Sequence, residues 1–188
     1  MENNLKDLTK KQLWQLFPVV LSAPSDKWKE DFIGEEALLK KELKDNVKRI
    51  SHIGSTAISG IFSKSVVDIL VEAHLNADMS IIKDKIINCG YICMAESSKR
   101  ISFNKGYTLK GYLDKVFHLH LVYFGDNDEL YFRDYLFDNP SVAKQYEKLK
   151  ICLAEKYKYD RDEYTSQKAA FVTKYTDIAK KIYEKKYI

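Results

Sequence analysis

Two stretches of this 188-residue chain hold residue types that handle phosphate, protons and metal ions. The first, RISHIGSTAISGIFSKSVVDILVEA (residues 49–73), contains Gly54-Ser55, Gly60, Lys64-Ser65 and Asp68. The second is His118-Leu119-His120. A Walker loop needs glycine, four residues, glycine, and then lysine and serine or threonine directly, so that successive amides curl around the phosphates. Here Gly60 is followed by Ile61-Phe62-Ser63 before Lys64-Ser65, which places the lysine three residues late. That excludes the Walker reading.

A second arrangement fits the spacing. A strand over Val47–Ile53 ends in Gly54-Ser55 and leads into a short helix over residues 56–62. Gly54 lets the backbone approach a ligand closely, Ser55 adds a hydroxyl, and the free amides of a helix N-terminus attract an anion. The next strand carries Asp68, whose carboxylate could hold a divalent cation against the same phosphates. Glycine-serine, a short helix and an acidic residue on the following strand resemble the signature of polymerase-beta-like nucleotidyltransferases. Spacing alone leaves a plain turn with a salt-bridged Asp68 equally open.

His118 and His120 fall two apart, so on a strand they point the same way, roughly 6.6 Å apart. Two imidazoles at that distance can close on one metal, and they favour Zn, Mn, Fe or Ni over Mg. Structural hydrogen bonding is the competing role. His52, just before the Gly-Ser pair, titrates near neutrality, although a strand end suits it better to packing.

The elements that must position these residues are legible from periodicity. Trp28, Phe32, Ile33, Leu38, Leu39 and Leu43 recur at helical spacing over residues 24–45, with Ser25 as the cap. Residues 65–73 form an apolar run of the kind a strand buried on both faces shows. Met79–Asn88 reads as a helix ended by Cys89-Gly90. Residues 91–94, 100–104 and 116–124 read as strands, with 105–115 and its Gly106 and Gly111 as a hairpin connection. From Asp128 the pattern turns helical to the end, in about three helices. The fold class is α/β (α+β). A mixed β-sheet core over about residues 20–125 and a helical C-terminal part over about 126–188 make one domain spanning 1–188.

Composition bounds the partners. With 45% hydrophobic and 31% charged residues, the chain suits a soluble domain with a sizeable core. No apolar run approaches the roughly 18 residues of a membrane-spanning helix. The opening MENNLKDLTKK has no apolar segment behind its charges, so a cytoplasmic protein with no membrane partner is expected. A net charge of +4 is too mild an excess for a nucleic-acid-binding tail, and KKIYEKKYI reads as a solvated helix face. Cys89, Cys93 and Cys152 form no CxxC pair and are expected to be buried, apolar thiols.

HIGSTAISG, the lysine and VDIL that follow it, FHLHLV, YFRDYL, YEKLK..LAEKY and DEYTSQKAAFV together resemble the GrpB family, assigned to the nucleotidyltransferase superfamily. The likeness covers about residues 14–180. It implies a nucleotidyltransferase-like core with a helical C-terminal portion, and a strand that sets His118 and His120 beside Asp68. It also implies basic residues at Lys64, Arg100, Arg133 and Lys168 that could neutralise phosphate oxygens. Two departures matter. Ile58-Ser59-Gly60 and Lys64-Ser65 stand where the family commonly has Val-Pro-Gly and a proline after the lysine, so the loop lacks proline's fixed φ. Leu70 stands where active nucleotidyltransferases carry a second carboxylate, and Glu72 lies roughly 13 Å along the strand from Asp68, too far to share its ion.

Three functions follow. An enzyme could transfer a nucleotidyl group from a nucleoside triphosphate to a small acceptor. Gly54, Ser55 and the basic residues would hold the phosphates, and Asp68, with His118 and His120, would carry a divalent metal (Mg, Mn or Zn). A non-catalytic protein could bind a nucleotide or another phosphorylated small molecule, as Leu70 hints. A metal-dependent hydrolase or phosphotransferase could use the histidine pair and Asp68. In each, Gly54, Ser55, Asp68 and both histidines should share one cleft.

Overall fold

A computed structural model of the chain describes residues 5–187. Its strands are β1 (Val47–Ile53), β2 (Val67–Ala73), β3 (Ile92–Glu96), β4 (Arg100–Thr108) and β5 (Gly111–Tyr123), joined in one sheet of order β1-β2-β5-β4-β3. The β2–β5 pair is parallel and the other pairs are antiparallel. From Ile69 to Ala73, β2 has no exposed surface, as an apolar strand covered on both faces must.

Register decides which side chains meet. Asp68 lies beside His118 and Leu70 beside His120 on the parallel side. Across β4, Asn104 opposes His118 and Ser102 opposes His120. Side chains alternate along a strand, so Asp68, Leu70, His118 and His120 share one face, while Ile69, Val71, Phe117, Leu119 and Leu121 share the other.

The second face packs on α2 (Lys27–Leu43) and α3 (Met79–Asn88), which add Trp28, Leu39, Leu43, Ile82 and Ile86 to the main core. Helix α2 is shorter than the expected 24–45. Its N-cap is Asp26 rather than Ser25, whose hydroxyl accepts from the Lys27 amide at 3.3 Å. Ile33 is left 53% exposed. Asp31 and Glu35 are buried instead, paired with Lys115 at 3.0 Å and Lys105 at 2.8 Å from the hairpin. A short α1 (Lys10–Leu16) precedes them, closed by a Thr9–Gln12 capping box.

The Asp68 face is covered by the C-terminal helices α4 (Asp128–Asp138), α5 (Pro140–Lys156), α6 (Arg161–Ser166) and α7 (Ala169–Ile182). Leu130 of α4 packs with Ile53, Leu70 and Val122, and α4, α5 and α7 share a second core with Ile58 and Ile61. The expected three helices are four. The additional one is α6, a single short segment started by the Asp160 side chain, which accepts from the Glu163 amide at 2.9 Å.

Two local expectations fail for identifiable reasons. The helix over 56–62 is only a 3₁₀ turn, Ser55–Ala57. Beyond it, side chains of α5 take the backbone groups a helix would need: Lys144 Nζ donates to Gly60 O at 2.7 Å, and Glu147 accepts from the Phe62 amide at 2.6 Å. Ser63 then bridges to Ser22. The second failure is the hairpin connection over 105–115, because β4 and β5 pair as far as Thr108 and Gly111. Gly106 sits at a shift of register between Lys105 and Tyr107, with φ of 90°, and marks a bulge rather than a turn. The extra residue brings odd-numbered Tyr107 onto the face that Ser102 and Asn104 occupy. The cysteines also differ from expectation. Cys152 is exposed on α5, and Cys89 and Cys93 are half-buried, Cys93 on the edge strand β3.

Glu72 is fully buried on the Asp68 face and has a structural role. It accepts from Arg49 Nη2 at 2.9 Å, Asn127 Nδ2 at 3.0 Å and the Gly125 amide at 3.3 Å, tying β1 and the start of α4 to β2.

At Gly106 an added Cβ would come within 2.2 Å of the Lys115 carbonyl oxygen. Gly106→Ala should therefore cost about 1–3 kcal/mol of stability, from a strained positive φ together with the clash. Urea unfolding of the two proteins measures this, and equal midpoints would disprove the bulge geometry.

Candidate functional site

The turn after β1 fixes one wall of the site. Gly54 has φ of 68°, and a Cβ on it would fall 2.3 Å from Asp68 Oδ2, so only glycine allows the backbone this close to the carboxylate. Thr56 locks the turn, donating to Val66 O at 3.2 Å and meeting His52 Nε2 at 3.0 Å. Ser55 opens the turn directly after Gly54.

From Asp68 a chain of hydrogen bonds crosses the sheet. Asp68 Oδ1 lies 3.1 Å from His118 Nδ1, His118 Nε2 lies 2.6 Å from the Tyr107 hydroxyl, and Arg161 Nη2 donates to that hydroxyl at 3.1 Å. The ionised Asp68 only accepts, so the neutral His118 carries its ring proton on Nδ1, facing Asp68. Its Nε2 then accepts from the Tyr107 hydroxyl, whose oxygen accepts from Arg161. Beside it, His120 Nδ1 meets Ser102 Oγ at 3.2 Å.

The helical part supplies cations. Lys64 and Lys168 place their ammonium groups 5.7 and 4.2 Å from the ring centroid of Tyr164, which is 1% exposed. Lys150, also buried, donates to Phe62 O at 2.5 Å and Ser63 Oγ at 3.1 Å and holds the loop that carries Lys64. Among the described residues, none of Lys64, Lys150, Arg161 and Lys168 forms an ion pair with a carboxylate.

The titration behaviour follows first from burial and then from that crowding. Burial, with Arg161 and Lys168 nearby, lowers Lys64 to about 7. Burial lowers Lys150 to about 7 and Lys168 to about 8, each against the attraction of Asp68. Burial alone would raise Asp68, but the His118 hydrogen bond and the charge of Lys64 outweigh it and hold the carboxyl at about 2. Burial keeps His118 below its usual range, and burial with the Arg100 charge brings His120 to about 4. At neutral pH the cleft thus holds one carboxylate, neutral imidazoles and an excess of positive charge.

The residues do not fit a divalent metal as arranged. Both ring nitrogens of His118 are engaged, His120 turns Nδ1 to Ser102, and among the described residues no three His, Cys, Asp or Glu side chains converge on one point. The position for a second carboxylate is filled by Leu70, fully buried against Ile53, Val122 and Leu130. The surrounding lysines and Arg161 would also repel a cation.

Of the residues singled out from the sequence, Gly54, Asp68, His118, Lys64 and Lys168 form one cluster, with His120 two residues along β5 and Ser55 directly after Gly54. Arg100 and Arg133 do not join them. Arg100 pairs with Glu129 at 2.6 Å, and Arg133 donates to His52 O at 3.0 Å and Tyr187 Oη at 3.2 Å while pairing with Asp134. His52 lies flat on Phe32, ring centroids 4.8 Å apart, and burial lowers it to about 4, consistent with packing. Arg133 instead lines a separate groove of about 680 Å³ with Trp28, Phe32, His52, Ser59 and Phe137. Tyr107, Lys150, Arg161 and Tyr164 escaped the sequence reading. Tyr107 lay in the supposed connection, Arg161 in a charged break between helices, and Lys150 and Tyr164 looked like ordinary helix residues. The signal for Lys150 and Tyr164 was their place in the motifs YEKLK and DEYTSQKAAFV.

The GrpB protein family model matches residues 18–177. The "Glutamate-rich protein GrpB" of Alkalihalophilus pseudofirmus is 39% identical over 160 residues, covering 82% of this chain and 91% of that relative. A UPF0157 protein of Pseudomonas aeruginosa is 30% identical over 150 residues, covering 78% of this chain and 62% of its own length. The crystal structure of the conserved protein GrpB from Enterococcus faecalis superimposes with a TM-score of 0.76 at 30% identity, over 87% of this chain and 99% of that one. By sequence and by fold, the chain belongs to the GrpB family.

Proposed function

We propose that the Asp68 cleft binds a nucleotide or a similarly phosphorylated small molecule, on a nucleotidyltransferase-like scaffold. One observation carries the reading: Lys64, Lys150, Arg161 and Lys168 surround a single carboxylate without an ion-pair partner among the described residues. Lys150 is buried and the other three are half-buried, and positive charge withdrawn from water in this way is costly without counter-charge, which a bound polyphosphate would supply. Gly54 supports the reading by letting the backbone come close, and Ser55 adds a hydroxyl at the rim.

Nucleotidyl transfer to a small acceptor is the finer form of this proposal. The mixed sheet, the glycine-serine turn and the acidic residue on the next strand support it. A second reading, binding without turnover, is favoured by Leu70, whose full burial leaves no room for a second metal-holding carboxylate. A metal-dependent hydrolase built on the histidine pair has less support, because His118 is committed on both sides. Among the described residues no helix is long and apolar enough to cross a membrane.

Calorimetric titration with the four nucleoside triphosphates and inorganic pyrophosphate tests binding. Lys64 near 7 and Lys168 near 8 lose charge over the same pH range in which the phosphates keep theirs. Affinity should therefore fall about tenfold or more between about pH 6.5 and about pH 8.5. Stability of the ligand-free protein should move the other way. These lysines titrate lower folded than unfolded, so above their folded values the unfolded chain binds more protons and stability rises with pH, towards the unfolded value of 10.5. Affinity that is flat or rising across that range would rule out the lysine cluster as the phosphate grip. Asp68→Asn removes the negative charge that acts on Lys64, Lys150 and Lys168 and should leave binding intact or tighter while turnover, if measured, falls. Loss of binding in that variant would contradict the reading.

A further inference from the structure

Asp68, His118 and Tyr107 stand in the order orienter, base and nucleophile. The base lies 2.6 Å from the tyrosine hydroxyl and 3.1 Å from the carboxylate that orients it, which is the geometry of an activated nucleophile. Arg161 adds a positive charge 3.1 Å from the same oxygen, where negative charge develops when the proton leaves. The Tyr107 ring is held in place by Phe17 and Tyr112, with centroids 4.8 and 5.1 Å away, and lies parallel to His118 at 5.9 Å. Its direction depends on the Gly106 bulge, an interruption of the strand that serves no pairing need of its own.

We infer that Tyr107 is a covalent nucleophile that accepts a nucleotidyl group from a nucleoside triphosphate without a metal ion. The inference rests on the phosphate-binding reading of the cleft given above. In the first step the Tyr107 oxygen bonds to the α-phosphorus, and the bond from that phosphorus to the bridging oxygen breaks. Pyrophosphate leaves with the electron pair, while the phenol proton moves to His118 Nε2 and the imidazolium is held by Asp68. The departing pyrophosphate carries that proton away and resets His118. In the second step water or an acceptor hydroxyl attacks the same phosphorus, and the bond to Tyr107 breaks. His118 takes the proton of the attacking hydroxyl and returns one to the Tyr107 oxygen. Lys64, Lys168 and Arg161 supply the positive charge that a metal would otherwise bring. Burial raises the Tyr107 phenol above its ordinary range, so it stays protonated until His118 draws the proton off during attack.

The test incubates the full chain with each of the four nucleoside triphosphates labelled at the α-phosphorus, with EDTA present, then denatures it and measures retained label and intact mass. Equilibrium dialysis of the same nucleotides runs in parallel. The expected result is a mass gain of one nucleotidyl group that maps to the peptide holding Tyr107. Tyr107→Phe, which keeps the ring and its packing, should still bind nucleotide but retain no label. His118→Gln should slow labelling about 100-fold or more, the range general-base loss covers. Binding without label, label that persists in Tyr107→Phe or maps elsewhere, or a mass gain of a single phosphoryl group without label would overturn the inference and leave the binding reading intact. Failure of every nucleotide to bind would remove the binding reading and the inference with it.

Discussion

Everything at the site depends on one pairing, the parallel register of β2 with β5. It sets Asp68 beside His118 in the interior of the sheet, where their side chains meet at 3.1 Å. A slip of one residue would leave the two side chains on opposite faces of the sheet. The opposite face prevents the slip, because Ile69, Val71, Leu119 and Leu121 have no exposed surface and pack with Leu39, Ile82 and Ile86. The polar face is thus held in register by the apolar one. Glu72 adds a second constraint at the far end of β2, where a buried carboxylate must keep Arg49 and Asn127 in place.

The helical part then imposes the electrostatics. Helix α5 grips the 60–63 loop through Lys144, Glu147 and Lys150, spaced so that all three meet the loop backbone. That grip prevents the loop from coiling and aims Lys64 toward Arg161 and Lys168, which arrive from α6 and the residue before α7. Burial, together with the neighbouring positive charges, lowers the proton affinity of all three lysines. The structural cost of that crowding is borne by the packing of Tyr164, Leu153 and Val19 beneath it.

Much of the fold was legible in the sequence because its signals are local. The burial of β2 follows from its unbroken apolar run, the limits of β1 and α3 from their flanking turn residues, and the nearness of Gly54 to Asp68 from the order of the motif. What escaped is non-local. The 56–62 segment has a helix-like pattern, yet α5 captures its backbone from residues more than eighty positions away. Gly106 reads as a turn from its neighbours alone, and only the facing Lys115 carbonyl makes it a bulge. Arg100 and Arg133 looked like phosphate ligands by type, but Glu129 and Asp134 neutralise them. Arg161 carried no periodic signal at all, because α6 is too short to have one.

A structure of the protein with a non-hydrolysable nucleoside triphosphate tests the central claim most directly. The expected result is a triphosphate lying between Lys64, Lys168 and Arg161, with Gly54 and Ser55 against it and the Asp68–His118–Tyr107 contacts in place. A nucleotide seated instead in the groove lined by Trp28, Phe32 and Arg133, with the lysine cluster untouched, would contradict it.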